Sequence, residues 1–115
     1  MSESAMDKMY EINIKSTFLL IKDSLPYMKN PGANIIILSS YAAFEPDTTI
    51  GFYSVTKTTL VAMMKVLAKE LLDEKIRVNC IAPGLIKTKF SSNLWEGREE
   101  TVIDTLRLMR LGEVQ

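Results

Sequence analysis

The sequence predicts an α/β fold with a parallel sheet, and three observations carry that prediction. Two short runs, Ile35-Ile36-Ile37-Leu38 and Ile76-Arg77-Val78-Asn79-Cys80-Ile81, have the β-branched content and turn-forming borders of strands. Long stretches with apolar residues at helical spacing alternate with them. The resulting order, helix, strand, helix, strand, helix, calls for right-handed crossovers between parallel strands.

From Met6 to Met28, the residues Met9, Ile12, Leu19, Leu20 and Leu25 mark one long helix. Pro26 stands near its end and Asn30-Pro31-Gly32 closes it. The uninterrupted Ile35–Leu38 run fits a strand buried on both faces. Glu45-Pro46-Asp47-Thr48-Thr49 is a loop of turn formers. A second amphipathic helix follows from Phe52 to about Asp73, carried by Val55, Leu60, Met63, Met64, Leu67, Leu71 and Leu72. The strand Ile76 to Ile81 is stopped by Pro83-Gly84. After a Ser91-Ser92-Asn93 loop, a third helix is expected from Arg98 to Leu111, with Val102, Ile103, Leu106 and Met109 on one side. Two strands cannot complete a parallel sheet, which needs neighbours at its edges and cover on both faces. Residues 1–115 are therefore expected to be an internal piece of a larger domain.

Composition narrows the chemistry. With 47% apolar and 24% charged residues, the 115-residue chain can hold one modest core and is no disordered tail. Fourteen basic and fourteen acidic residues cancel, so no basic field is present for nucleic acid and no polybasic patch for a membrane. The apolar runs fall far short of the ~20 residues of a membrane-spanning helix, so no membrane insertion is expected. Cys80 stands alone and the first residues lack a signal-peptide pattern, which points to a reducing, intracellular compartment. The absence of His excludes His-dependent triads, and with one Cys no tetrahedral zinc site is expected. Chemistry must run on Ser, Tyr, Lys or a carboxylate.

Tyr53 and Lys57 stand four residues apart at the start of the second helix, on one face and one turn from each other. A free phenol with a pKa of ~10 exchanges protons poorly near neutrality, and a neighbouring ammonium favours the phenolate. The spacing alone is weak, since it arises by chance in roughly one chain in five of this length. Position strengthens it. Ser40 lies at the carboxyl end of the first strand, the edge where open α/β sheets bind ligands, and Tyr53 opens the next helix at that edge. Pro83-Gly84 ends the second strand there too, and Leu85-Ile86-Lys87-Thr88 beyond it offers amides and a hydroxyl.

These residues resemble the short-chain dehydrogenase/reductase family over nearly the whole chain. The likeness rests on Asn13 in Glu11-Ile12-Asn13-Ile14-Lys15, on Ser39-Ser40, on Tyr53-Ser54-Val55-Thr56-Lys57, and on Ile76-Arg77-Val78-Asn79 followed by Ala82 to Thr88. Ser40 stands thirteen residues before Tyr53, the family's usual interval, which selects it over Ser39. Within the family, Ala82 to Thr88, Phe90-Ser91, Trp95 and the closing Leu106 to Glu113 are most like NADP-dependent carbonyl and retinal reductases.

The resemblance implies part of a Rossmann-type doubly wound sheet and an NADP- or NAD-dependent reduction of a small carbonyl compound. By it, Tyr53 is the proton donor, Ser40 holds the carbonyl oxygen, and Lys57 binds the cofactor ribose. Asn13 completes a water-linked relay to Lys57. Ile86 and Thr88, entered through Pro83 and Gly84, face the carboxamide and a phosphate. It also implies homodimers or homotetramers built on the two long helices, and a cytoplasmic, peroxisomal or mitochondrial setting. The family's glycine-rich cofactor turn has no counterpart here. The alternative is therefore an inactive fragment that at most associates with a full-length subunit.

Plainer readings stand beside these. Taken alone, Asn13 is a polar surface residue; the pattern turns it into a relay member. Cys80 is read as a small buried hydrophobe rather than a reactive thiol, and the seven methionines as core or interface. Trp95 is read equally as part of a substrate lid or as a packing residue.

Overall fold

The computed structural model describes residues 1–28, 32–105 and 112–114. They form two units, Met1–Ala82 and Pro83–Gln115.

In the first unit, Ser2 caps α1 (Glu3–Tyr10) by accepting from the Ala5 N–H. The expected single helix is then interrupted. Glu11–Lys15 form a π turn, in which the Ser16 N–H reaches back to the Glu11 carbonyl, before α2 (Ser16–Ser24) resumes and a 3₁₀ turn, Leu25–Tyr27, ends it. No glycine or proline stands in Glu11–Lys15 to announce the turn.

Strand β1 (Asn34–Leu38) pairs in parallel with β2 (Arg77–Ile81), with Ile35 opposite Val78 and Ile37 opposite Cys80. Between them runs α3 (Gly51–Glu70), ending three residues before the expected Asp73, with Lys75 in the left-handed region at φ 58° in the turn that follows. The core joins Ile35 and Ile37 of β1, Val78 of β2, Leu60 and Leu67 of α3, and Ile21, Leu71 and Ile76. Cys80 packs half-buried against it, as a small hydrophobe does. The expectation that β1 is buried on both faces is corrected. Ile35 and Ile37 are 7% and 3% exposed, but Ile36 and Leu38 are 56% and 61% exposed, because among the described residues the helices cover only one side of the sheet.

The second unit has more regular structure than the sequence announced. Ile86–Lys87 (β3) and Gly112–Glu113 (β4) pair in parallel, and the presumed Ser91-Ser92-Asn93 loop is largely a one-turn helix, α4 (Ser92–Trp95). Two-residue strands are too short to show any periodicity. The third helix is present as α5 (Glu99–Thr105); its expected continuation through residues 106–111 lies outside the described residues, as do most of the closing Leu106 to Glu113 positions.

Candidate active site

The end of β1 is sewn to both neighbours by Ser39. Its N–H donates to the Ile81 carbonyl at 2.8 Å and its hydroxyl to the Lys57 carbonyl at 2.7 Å. Buried to 5% exposure, it has no access to a ligand. The next residue, Ser40, is half-buried and extended, at φ −157° and ψ 155°. Its Oγ caps the 3₁₀ turn Tyr41–Ala43 by accepting from the Ala42 N–H at 3.2 Å. The Thr58 hydroxyl of α3 shares its one proton between the Ala43 carbonyl at 3.0 Å and the Ser54 carbonyl at 2.9 Å, which links this turn to the helix that carries Tyr53.

That helix starts from a capped loop. Asp47 accepts from both the Thr49 N–H and the Thr49 hydroxyl, at 2.7 and 2.6 Å, and a 3₁₀ turn, Thr48–Ile50, runs directly into α3. These two donors hold the Asp47 carboxyl below its ordinary pKa. Tyr53 falls in the first turn of α3 and Lys57 in the second, both half-buried. The Lys57 Nζ lies 5.6 Å from the Tyr53 ring centroid, within cation–π range, and donates to the Leu38 carbonyl at 3.1 Å. Burial lowers the Lys57 pKa, and Cys80 on β2 opposes that shift. Among the described residues the Tyr53 hydroxyl makes no hydrogen bond, and Ser40 and Tyr53 are not bonded to each other.

Asn13 sits in the π turn. Its amide donates to Thr56 Oγ1 at 3.0 Å, and that hydroxyl donates in turn to the Tyr53 carbonyl at 2.7 Å. Thr56 has no exposed surface, so this bond is a fixed joint between the first helical segment and α3, one residue from Lys57. Sequence reasoning missed Thr56 and the structural part of Ser39. A polar side chain on the buried face of an amphipathic helix was the available signal for Thr56.

In the second unit, Pro83 and Gly84 lead into β3, where Ile86 stands, and Thr88 follows it. The Ser91 hydroxyl bridges these positions, donating to the Ile86 carbonyl and accepting from the Thr88 N–H. Lys87 pairs with Glu99 at 2.9 Å and lies 5.6 Å from the Trp95 ring; the Glu99 hydrogen bond raises its pKa.

Among the described residues no group of three His, Cys, Asp or Glu could hold a metal ion, and no helix is long and apolar enough to cross a membrane.

The family model described as enoyl-(acyl carrier protein) reductase matches residues 1–115. Dehydrogenase/reductase SDR family member 4 of Oryctolagus cuniculus is 48% identical over 97% of the chain and 44% of its own length. Among solved structures, a short-chain dehydrogenase/reductase of Brucella melitensis superposes with a TM-score of 0.90 at 34% identity, over 98% of this chain and 45% of that one. ElxO with NADP bound superposes with a TM-score of 0.86 at 26% identity, over 98% of this chain and 47% of that one. The chain thus spans less than half the length of each of these proteins. Matched along all of its residues in sequence and nearly all in fold, the chain belongs to the short-chain dehydrogenase/reductase family.

Proposed function

We propose that the chain carries the catalytic part of an NADP- or NAD-dependent reductase that converts a ketone or aldehyde, retinal among the candidates, to the alcohol. The observation that carries this reading is the seat of Lys57. Its half-buried ammonium is held over the Tyr53 ring by the carbonyl of Leu38, two residues before Ser40. In the reduction, Tyr53 gives its proton to the carbonyl oxygen and is left as the phenolate, with the Lys57 ammonium 5.6 Å from its ring centroid. Ser40 has its oxygen engaged by Ala42, which leaves its proton for the substrate oxygen. Asn13, fixed through Thr56 beside Lys57, completes a water-linked path that returns a proton to Tyr53.

The residues fit the cofactor. Of the three N–H donors on Lys57, one is taken among the described residues, by Leu38, and two are open to ribose hydroxyls. Ile86 and Thr88, approached through Pro83 and Gly84, offer backbone groups and a hydroxyl to the carboxamide and a phosphate. Hydride is the chemistry that a reduced nicotinamide supplies when bound. The NADP held by ElxO supports this choice.

A second reading has its own support: the chain as an inactive partner of a full-length subunit, a partial domain of residues 1–115. The chain covers 44% of its rabbit relative, and Ile36, Leu38 and Ile81 leave an apolar sheet face open among the described residues. The helices α1, α2 and α3, with Phe18, Leu19, Val55 and Val66 exposed, supply the contact surface in either reading. An NADPH titration of the chain, with turnover measured before and after Tyr53→Phe, separates the two. Saturable binding and Tyr53-dependent turnover support the enzyme; neither is expected of the inactive partner. A monomer at micromolar concentration in both the chain alone and its mixture with a full-length relative would refute the helical interface.

A further inference from the structure

We propose that Ser91 is a positioning residue that presets the Ile86–Thr88 segment for the nicotinamide cofactor and couples that segment to Trp95. The proposal rests on the reading of Ile86 and Thr88 as cofactor-binding residues. Ser91 is 7% exposed, so its hydroxyl is closed to solvent and to any ligand. What it touches is the segment itself. Its single proton goes to the Ile86 carbonyl, which is nearer than the Thr88 carbonyl at 3.2 Å. Its oxygen accepts from the Thr88 N–H at 3.2 Å and from the Trp95 indole N–H at 3.1 Å. A hydroxyl oxygen has two lone pairs, and these two donors fill them.

The consequence falls on Thr88. Its own hydroxyl lies 3.2 Å from the same oxygen but finds both lone pairs occupied, so its proton is left for an outside acceptor such as a carboxamide or phosphate oxygen. Ser91 thereby fixes the backbone on either side of Lys87 and leaves the Thr88 hydroxyl as the group on offer. A serine that only closed the turn would bond locally to the backbone. This one also receives the ring of a residue on α4, and Lys87, bonded to Glu99 of α5, lies 5.6 Å from that same ring. Order imposed at Thr88 therefore reaches Trp95.

Calorimetric titration of the chain with NADPH tests this, comparing the unmutated protein with Ser91→Ala and Trp95→Phe. Removing the hydroxyl frees two backbone groups of the segment, and Ser91→Ala is expected to weaken binding about tenfold. Trp95→Phe removes only the indole donor and is expected to cost less than about threefold. Trp95 is the chain's one tryptophan, so its emission reports the coupling: NADP⁺ at saturation shifts it in the unmutated chain and leaves it unchanged in Ser91→Ala. If Ser91→Ala loses its cooperative melt, Ser91→Cys, similar in size and a poor hydrogen bonder, replaces it with the same expectation. Unchanged affinity in the serine variant overturns the proposal. Equal losses in the serine and tryptophan variants do so too, since they mark general loosening. Failure of the unmutated chain to bind NADPH defeats the cofactor reading itself, and this inference with it.

Discussion

The Ser39 hydroxyl donates to the carbonyl of Lys57 at 2.7 Å, while the Lys57 ammonium donates to the carbonyl of Leu38, the residue before Ser39. The two residues clasp each other across the strand–helix boundary, one by its side chain to the other's backbone and the other to the backbone next door. Ser39→Ala leaves the Lys57 carbonyl without that donor in a buried place, and is expected to lower the unfolding free energy by about 1–3 kcal/mol. Urea denaturation of the chain measures it, and a loss within error of zero would show that the clasp is not holding α3.

Tyr53→Phe deletes the proposed proton donor and almost no surface. Turnover is expected to fall by about 10²- to 10⁴-fold with cofactor affinity unchanged. Lys57→Ala removes both the ammonium over the ring and the donors proposed for the ribose, so affinity and turnover should fall together. Steady-state kinetics with cofactor titration distinguishes the two patterns.

Burial holds the Lys57 pKa below its ordinary value of 10.5. Between the lowered value and 10.5 the unfolded chain carries more protons at this site than the folded one, so stability rises with pH through that window. The contribution is complete above 10.5 and lost as pH falls through the lowered value. Lys57→Met should remove this rise, seen as a smaller stability difference between neutral and alkaline urea titrations. Affinity for NADPH should fall over the same window as the ammonium is lost.

Asp47 titrates in the opposite part of the scale. Its two hydrogen bonds from Thr49 hold the carboxyl below 3.8, so its stabilising contribution is complete above 3.8 and is lost as pH falls through the lowered value. Asp47→Ala should destabilise the chain at pH 7 by loosening the turn that starts α3, and the gap to the unmutated protein should narrow below pH 3.8. Thermal melts at the two pH values check it.

The sequence made the parallel pair and its crossover helix legible because the run Ile35–Leu38, the spacing of Leu60, Met64, Leu67 and Leu71, and the Pro83-Gly84 stop all speak the same language of period and punctuation. Tyr53 and Lys57 were legible as neighbours because a four-residue interval on a helix leaves little choice. Other features were not. Four consecutive apolar residues look the same whether the sheet is covered on one side or two, so the exposure of Ile36 and Leu38 was invisible. The π turn escaped because no glycine or proline marks Glu11–Lys15. The joint from Asn13 to Thr56 spans 43 positions, a separation at which local spacing carries no information.

The tether on Lys57 is a main-chain oxygen, and the side chain of the residue that supplies it is 61% exposed. At position 38 the backbone thus serves the lysine while the side chain answers to a different surface. Saturation mutagenesis there should be permissive for the lysine's placement, since every amino acid brings the same carbonyl. Among the described residues, the side chain at position 38 can therefore change in size and hydrophobicity without disturbing the cation that its backbone holds.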